Sequence, residues 1–216
     1  MKLLVLGASG GCGKEVVKQA LAKGFTVTVV LRESSEYLPP EEVHVVKGDV
    51  LHPDFIKELV KDHYNIISCL GIKRSNPFNP WSRLISPNDL TTRVVSNVIQ
   101  ATGDSKNTTF IAISAAGVGE SFERTNLMMR IMIPNSNIGI AYADLAQMEE
   151  SLSKSNLNWL AVRPVTLINS STKKPVQLTS SYGLTSMISR ANVAKWMLDQ
   201  LDKKEPFSDH IQMIKQ

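Results

Sequence analysis

Leu3-Leu4-Val5-Leu6-Gly7-Ala8-Ser9-Gly10-Gly11-Cys12-Gly13-Lys14-Glu15-Val16-Val17 is the stretch that decides the fold. An apolar run stops abruptly at Gly7, glycines recur at Gly10 and Gly13, and a helix-forming segment extends from Lys14 to about Lys23. Strand, glycine turn and helix in this order form the unit that holds a dinucleotide. One glycine permits the tight turn off the strand. A second lets the backbone approach a pyrophosphate, and a third lets the helix lie close to the sheet. The unpaired N–H groups and the dipole at the helix start then favour phosphate. On this reading Gly7, Ser9, Gly10, Gly11, Cys12 and Gly13 line the cofactor site.

Downstream, strands and helices alternate. Thr26–Leu31 reads as a buried parallel strand, Val43–Lys47 as a third strand, and Pro53 as the first residue of a helix reaching about Lys61. Tyr64–Leu70 is a predicted fourth strand. Ser86 or Asn88 is placed to cap a helix ending at Thr102, and Thr108–Ile113 is a fifth strand. Ala141–Lys154 and Asn192–Leu201 read as helices, and Trp159–Val162 and His210–Ile214 as strands. Such alternation implies right-handed βαβ units and an α/β fold: a doubly wound parallel sheet of Rossmann type in three α/β/α layers. The 216 residues suit a single domain, 1–216. Two segments interrupt the pattern, 71–87 with Phe78 and Trp81 and 114–138 with Met128, Met129 and Met132. Both follow carboxyl ends of predicted strands, the edge where open sheets bind ligands, so they are expected to shape a substrate pocket.

Composition narrows the function classes. The net charge of +4 comes from 24 basic and 20 acidic side chains that are interspersed, without the basic run of a nucleic-acid arm. No segment reaches the roughly 20 apolar residues of a membrane span. The start of the chain does not read as a signal peptide, and Cys12 and Cys69 are the only cysteines, so a reduced, cytoplasmic protein is expected. The four histidines, His44, His52, His63 and His210, have no ligand spacing, and no metal is predicted. The expected partner is a small molecule, aromatic or anionic, with neither nucleic acid nor membrane, for a monomer or homodimer.

These motifs together resemble a known family. Gly7-Ala8-Ser9-Gly10-Gly11-Cys12-Gly13 is similar to the Gly-x-x-Gly-x-x-Gly turn of the atypical short-chain dehydrogenases, in the branch of NmrA-like and biliverdin/flavin reductase-like NAD(P)-binding proteins. Lys47-Gly48-Asp49-Val50 resembles that family's Gly-Asp turn, and Ile113-Ser114-Ala115-Ala116-Gly117 its Ser-Ser-Ala-Gly turn. The segment from Glu149 through Leu152, Ser155 and Leu157 to Arg163-Pro164 resembles its Glu-x-x-Leu…Arg-Pro segment. Ile188-Ser189-Arg190-Ala191-Asn192-Val193-Ala194 is similar to its Ile-Ser-Arg-x-Asp-Val-Ala segment. The resemblance implies that Asp49 holds the adenine amino group with Val50 near the ring. Two departures stand out. Tyr142 has Ala146 four residues on, where classical members carry the lysine that lowers the tyrosine pKa, and Ala115 replaces the second serine of the turn.

The remaining candidates follow from position. Arg32, just past the second strand, is placed to grip a ribose 2′-phosphate, with Ser9 adding a hydroxyl, which favours NADP(H) over NAD. Leu70 and Gly71 are expected beneath the nicotinamide ribose. Ser114 is a candidate for the nicotinamide or substrate, and Ser114 and Tyr142 are the candidate catalytic hydroxyls. Cys12 admits two readings, a thiol acidified by the helix start or a small residue filling the turn, of which the second is preferred. Arg163 meets an anionic substrate or pairs with Glu149 or Glu150. Lys73 and Arg74 attract an acidic substrate or are simply solvated. The function expected is NADPH-dependent hydride transfer to a planar acceptor such as a flavin, quinone, bilin or enone. The alternative is an NADP(H)-binding redox sensor without turnover.

Overall fold

The structure is a computed structural model and describes residues 1–103, 107–170, 174–183, 185–203 and 205–216. The opening stretch forms strand β1 (Lys2–Leu6) and helix α1 (Gly11–Ala22). Beside β1 lie β2 (Thr26–Leu31) and β3 (His44–Lys47) on one side, and β4 (Asn65–Ser68), β5 (Thr109–Ile113) and β6 (Asn158–Pro164) on the other. All these pairings are parallel. β10 (Ile211–Lys215) continues the parallel sheet beyond β6, and β8 (Gln177–Leu178) closes the edge antiparallel. The order β3-β2-β1-β4-β5-β6-β10-β8 reverses direction at β1/β4, beside the glycine turn. Open α/β sheets bind ligands at such a switch point.

The three layers follow from the two-residue alternation of the strands. Leu3 and Val5 face one way and pack with Val16, Val17 and Ala20 of α1 and with Val193, Ala194 and Met197 of α6 (Arg190–Leu201). Leu4 and Leu6 face the other way, onto Ile56 and Leu59 of α2 (Pro53–Val60), Val94, Val95 and Val98 of α3 (Leu90–Thr102), and Met148 and Leu152 of α5 (Asn137–Ser153). Each Leu or Ile buried this way contributes roughly 1.5–3 kcal/mol. The doubly wound sheet of the sequence reading is present, with one antiparallel edge strand that the reading lacked.

The interrupting segments carry more order than their sequence suggested. Segment 114–138 holds a 3₁₀ helix (Gly119–Arg124) and a short helix, α4 (Leu127–Met132), whose residues are not buried. Segment 71–87 folds back on itself: the Ser75 N–H donates to the Arg83 carbonyl and the Ile85 N–H to that of Lys73. A small second sheet pairs β7 (Thr166–Ile168) in parallel with β9 (Met187–Ser189), and neither strand has a clear signal in the sequence.

Helix starts also move. α1 begins at Gly11 and not Lys14, and α6 at Arg190 and not Asn192, with Ser189 Oγ accepting from the Asn192 N–H at 3.1 Å. α5 begins at Asn137, four residues before Ala141. α3 is capped neither by Ser86 nor by Asn88. The buried Asp144 of α5 accepts from the backbone N–H groups of Thr91 (2.9 Å) and Thr92 (3.0 Å) and from both their hydroxyls (2.8 Å each). A residue 52 or 53 positions away thus does the capping.

Candidate functional site

The site begins where β1 ends. Gly7 has φ +79°, and a Cβ there would lie 2.8 Å from the Cys69 carbonyl carbon and oxygen, so the chain leaving β4 passes against the turn. A Cβ on Gly13 would lie 2.8 Å from Ala8 Cα and collide outright with the Gly7 carbonyl. These two contacts press α1 onto the strand end, as the spacing required. The Gly10 N–H donates to the Gly7 carbonyl at 3.1 Å, and Gly10 is the N-cap of α1. It has no side chain to satisfy the helix start, and no acidic residue sits in the first turn. The positive end of α1 is left for an anion.

Over this turn lies a cation that the sequence reading did not single out. A Cβ on Gly11 would lie 2.7 Å from Arg190 Cδ and Nε. The small second sheet explains how a residue so distant in sequence arrives there. β7 and β9 run parallel with Ile168 opposite Ser189, so Asn169 and Arg190 leave the sheet side by side, and Arg190 Nη1 donates to Asn169 Oδ1 at 2.8 Å. Arg190 is also the first residue of α6, where the helix dipole disfavours a cation. The available signal is the Ile188-Ser189-Arg190 segment itself, whose place beside α1 depends on the pairing of two three-residue strands.

The other expected cofactor residues lie along the same edge. Arg32 and Ser9 are exposed, and the Arg32 guanidinium forms no hydrogen bond or ion pair with any described residue. Asp49 is exposed, and its Oδ1 accepts the Leu51 N–H at 2.9 Å. Val50 is half-buried, and its carbonyl accepts from Asn97 Nδ2 at 3.3 Å. Leu70 follows Cys69 beneath Gly7, its N atom 2.9 Å from a Cβ built there, whereas a Cβ on Gly71 would meet nothing within 4 Å. Burial pushes the Cys12 thiol up to about 11, with Arg190 pulling weakly the other way, and drives Cys69 well above its usual value. Cys12 is therefore a protonated thiol packed into the turn.

Ser114 and Tyr142 both approach the turn that follows β5. Ser114 is 3% exposed, and its hydroxyl has no hydrogen-bond partner among the described residues. The Tyr142 hydroxyl donates to the Ala116 carbonyl at 3.1 Å, and burial raises its pKa. Beside them lies Tyr182, which no motif marks. Its hydroxyl is buried and has no partner among the described residues. Arg163 has a structural partner set. It is 2% exposed, bonds Glu149 through Nε (3.0 Å) and Nη2 (2.6 Å), and reaches Glu120 of the 3₁₀ helix. Glu150 pairs instead with Lys154. Arg74 donates to the Pro77 carbonyl, inside its own loop.

The two interrupting segments meet each other. Trp81 Nε1 donates to the Asn135 carbonyl at 2.8 Å, and Asn137 Nδ2 to the carbonyls of Trp81 and Ser82. They leave apolar surface open, with Phe78 94% and Trp81 63% exposed.

Comparison with known proteins agrees with this geometry. A family model for NAD(P)H-binding proteins matches residues 7–204. The chain belongs to this NAD(P)H-binding family. A chloroplastic Arabidopsis thaliana protein of uncharacterized function is 24% identical over 78% of the chain, which spans only 60% of that relative's length. Among solved structures, the anaerobilin reductase ChuY of Escherichia coli superposes with a TM-score of 0.72 at 18% identity, over 99% of this chain and 96% of that one. A short-chain dehydrogenase/reductase of Veillonella parvula, solved in complex with NADP, gives 0.75 at 18% identity, over 100% and 94%. At such identities the likeness establishes the fold. No described helix of this NAD(P)H-binding chain is long and apolar enough to cross a membrane.

Proposed function

We propose that this protein is an NADPH-dependent reductase acting on a planar, largely apolar acceptor of the flavin, quinone, bilin or enone class. The observation that carries the reading is the α1 start: a helix N-terminus without a side-chain cap, two glycines packed to contact, and Arg190 lying over Gly11. The arrangement fits a pyrophosphate, whose charge would meet the α1 dipole and one guanidinium. Arg32 supports NADP over NAD, because an exposed, unpaired guanidinium past β2 matches a 2′-phosphate. Ser9 is the accompanying hydroxyl, and Asp49, Val50, Leu70 and Gly71 line the path to the nicotinamide. Bound NADPH would supply a hydride, and the chain would supply position and a dry surface. Ser114 is proposed to contact the nicotinamide amide, which would satisfy its buried hydroxyl. Phe78 and Trp81 support a flat apolar acceptor. The ChuY likeness is compatible with a bilin.

The test is NADPH oxidation against a panel of flavin mononucleotide, menadione and biliverdin, with parallel titrations of NADP+ and NADPH. Turnover well above background with one acceptor is expected. Tight NADPH binding with no turnover across the panel would leave the redox-sensor reading. That reading draws on Tyr142, which lacks a lysine partner and spends its proton on the Ala116 carbonyl. Arg32→Ala is expected to weaken NADPH at least tenfold and NADH little, and equal losses would remove Arg32 from the site.

A further inference from the structure

Two buried hydroxyls without a hydrogen-bond partner among the described residues lie at one turn. The turn 114–117 follows β5 at the ligand-binding edge of the sheet. Its first residue, Ser114, is one of them. The second belongs to Tyr182, which arrives from a different part of the chain. Gly117 has φ +96°, and a Cβ there would lie 2.9 Å from the Tyr182 hydroxyl oxygen and 3.1 Å from Tyr142 Cε1. The absence of a side chain at Gly117 is therefore what admits the Tyr182 phenol to the turn.

The Tyr182 segment is held in place from several directions. β8 pairs with β10, the Thr179 N–H donates to the Met213 carbonyl at 2.9 Å, and Arg124 Nη1 donates to the Ser180 carbonyl at 3.1 Å. The ring packs on the core, half-buried. A buried phenol without a partner destabilises a fold, and phenylalanine would fill the same space without that penalty. Burial and the neighbouring Tyr142 push the phenol up to about 12, so at neutral pH it keeps its proton as a donor. Tyr142 cannot serve in that capacity while its own proton lies on the Ala116 carbonyl.

We propose that the Tyr182 hydroxyl is the hydrogen-bond donor that holds an oxygen atom of the electron acceptor, beside the turn 114–117. The proposal rests on the reductase reading above and adds to it the residue that orients the acceptor. It also specifies what the acceptor presents there: a carbonyl oxygen, which the quinone, flavin, bilin and enone classes all carry. Charge that develops on that oxygen as electrons arrive is stabilised by a donor already in place.

The experiment compares wild type with Tyr182→Phe, both saturated with NADP+, by quenching of intrinsic fluorescence with menadione, flavin mononucleotide and biliverdin. Turnover with NADPH and thermal unfolding are measured alongside. For at least one probe, Tyr182→Phe is expected to raise Kd five- to tenfold and lower turnover tenfold or more. NADP+ affinity should stay within twofold and Tm should be unchanged or higher, because no hydrogen bond of the free protein is lost. Equal Kd values for every probe that binds would overturn the inference and leave the hydroxyl to an ordered water. A lower Tm in Tyr182→Phe, or no binding of any probe to wild type, would overturn it as well. Wild-type binding without turnover would defeat the reductase reading alone, and the Kd comparison would still decide the role of Tyr182.

Discussion

Gly13 and Gly71 sit at the same edge of the sheet under opposite steric demands. A Cβ on Gly13 would collide with the Gly7 carbonyl, whereas one on Gly71 would meet nothing within 4 Å. Gly13→Ala should therefore force the start of α1 away from β1. The expected cost is roughly 1–3 kcal/mol of stability, the ordinary penalty of overpacking, together with a large loss of NADP(H) affinity. Gly71→Ala should leave stability unchanged in the free protein, so any loss of affinity there would report contact with the bound ribose. Denaturant unfolding and NADP+ titration of the two variants check both statements. A Gly13→Ala protein as stable as wild type would mean that the helix start is not pressed onto the strand. The same scale separates the readings of Cys12. Its thiol is buried beneath the turn and raised to about 11, which makes it a packing residue.

At the scale of elements, the helix joints carry the most information. Asp144 is buried in α5 and accepts four hydrogen bonds from the first turn of α3. Its carboxylate also answers the dipole of that helix. Asp144→Ala should therefore cost about 2–4 kcal/mol, more than an exposed cap, because two backbone N–H groups and two hydroxyls lose a charged acceptor in a dry site. Thermal or urea unfolding measures this, and a loss below about 0.5 kcal/mol would show that water replaces the carboxylate. This joint also marks what was legible in the sequence. Short apolar runs bounded by turn residues mark β1, β2, β4, β5, β6 and β10, because burial on both faces of a parallel sheet favours continuous apolar strands. Local signals also led to Ser86 or Asn88 as the α3 cap, since a cap from another helix leaves no mark near the helix it serves. Arg190 and Tyr182 were hidden for the same reason. Each reaches the site through a short strand, β7 with β9 for Arg190 and β8 for Tyr182, of two or three residues, too few to show a pattern.

On the scale of the whole molecule, the candidate cofactor site joins the first βα unit to the last helix. α1 and α6 lie side by side, with Gln19 Nε2 donating to the Ala191 carbonyl at 2.9 Å and Lys23 bridging Asp199 and Asp202 at 2.6 and 3.1 Å. An anion bound over Gly11 would therefore tie the first βα unit to the last helix, and its binding energy would appear as resistance to global unfolding. NADP+ at a hundred times its Kd should add about 2.7 kcal/mol, which for a chain of this size raises Tm by about 5–10 °C. Arg190→Ala removes a charge-assisted contact of roughly 1.5–3 kcal/mol. At the same ligand concentration its shift should shrink to about 1–5 °C, and it should shrink for NAD+ as well, because the pyrophosphate is common to both. Arg32→Ala should reduce only the NADP+ shift. Differential scanning fluorimetry of wild type and the two variants with each nucleotide separates these effects. Identical shifts in wild type and Arg190→Ala would mean that the guanidinium over Gly11 belongs to the fold alone and not to the nucleotide.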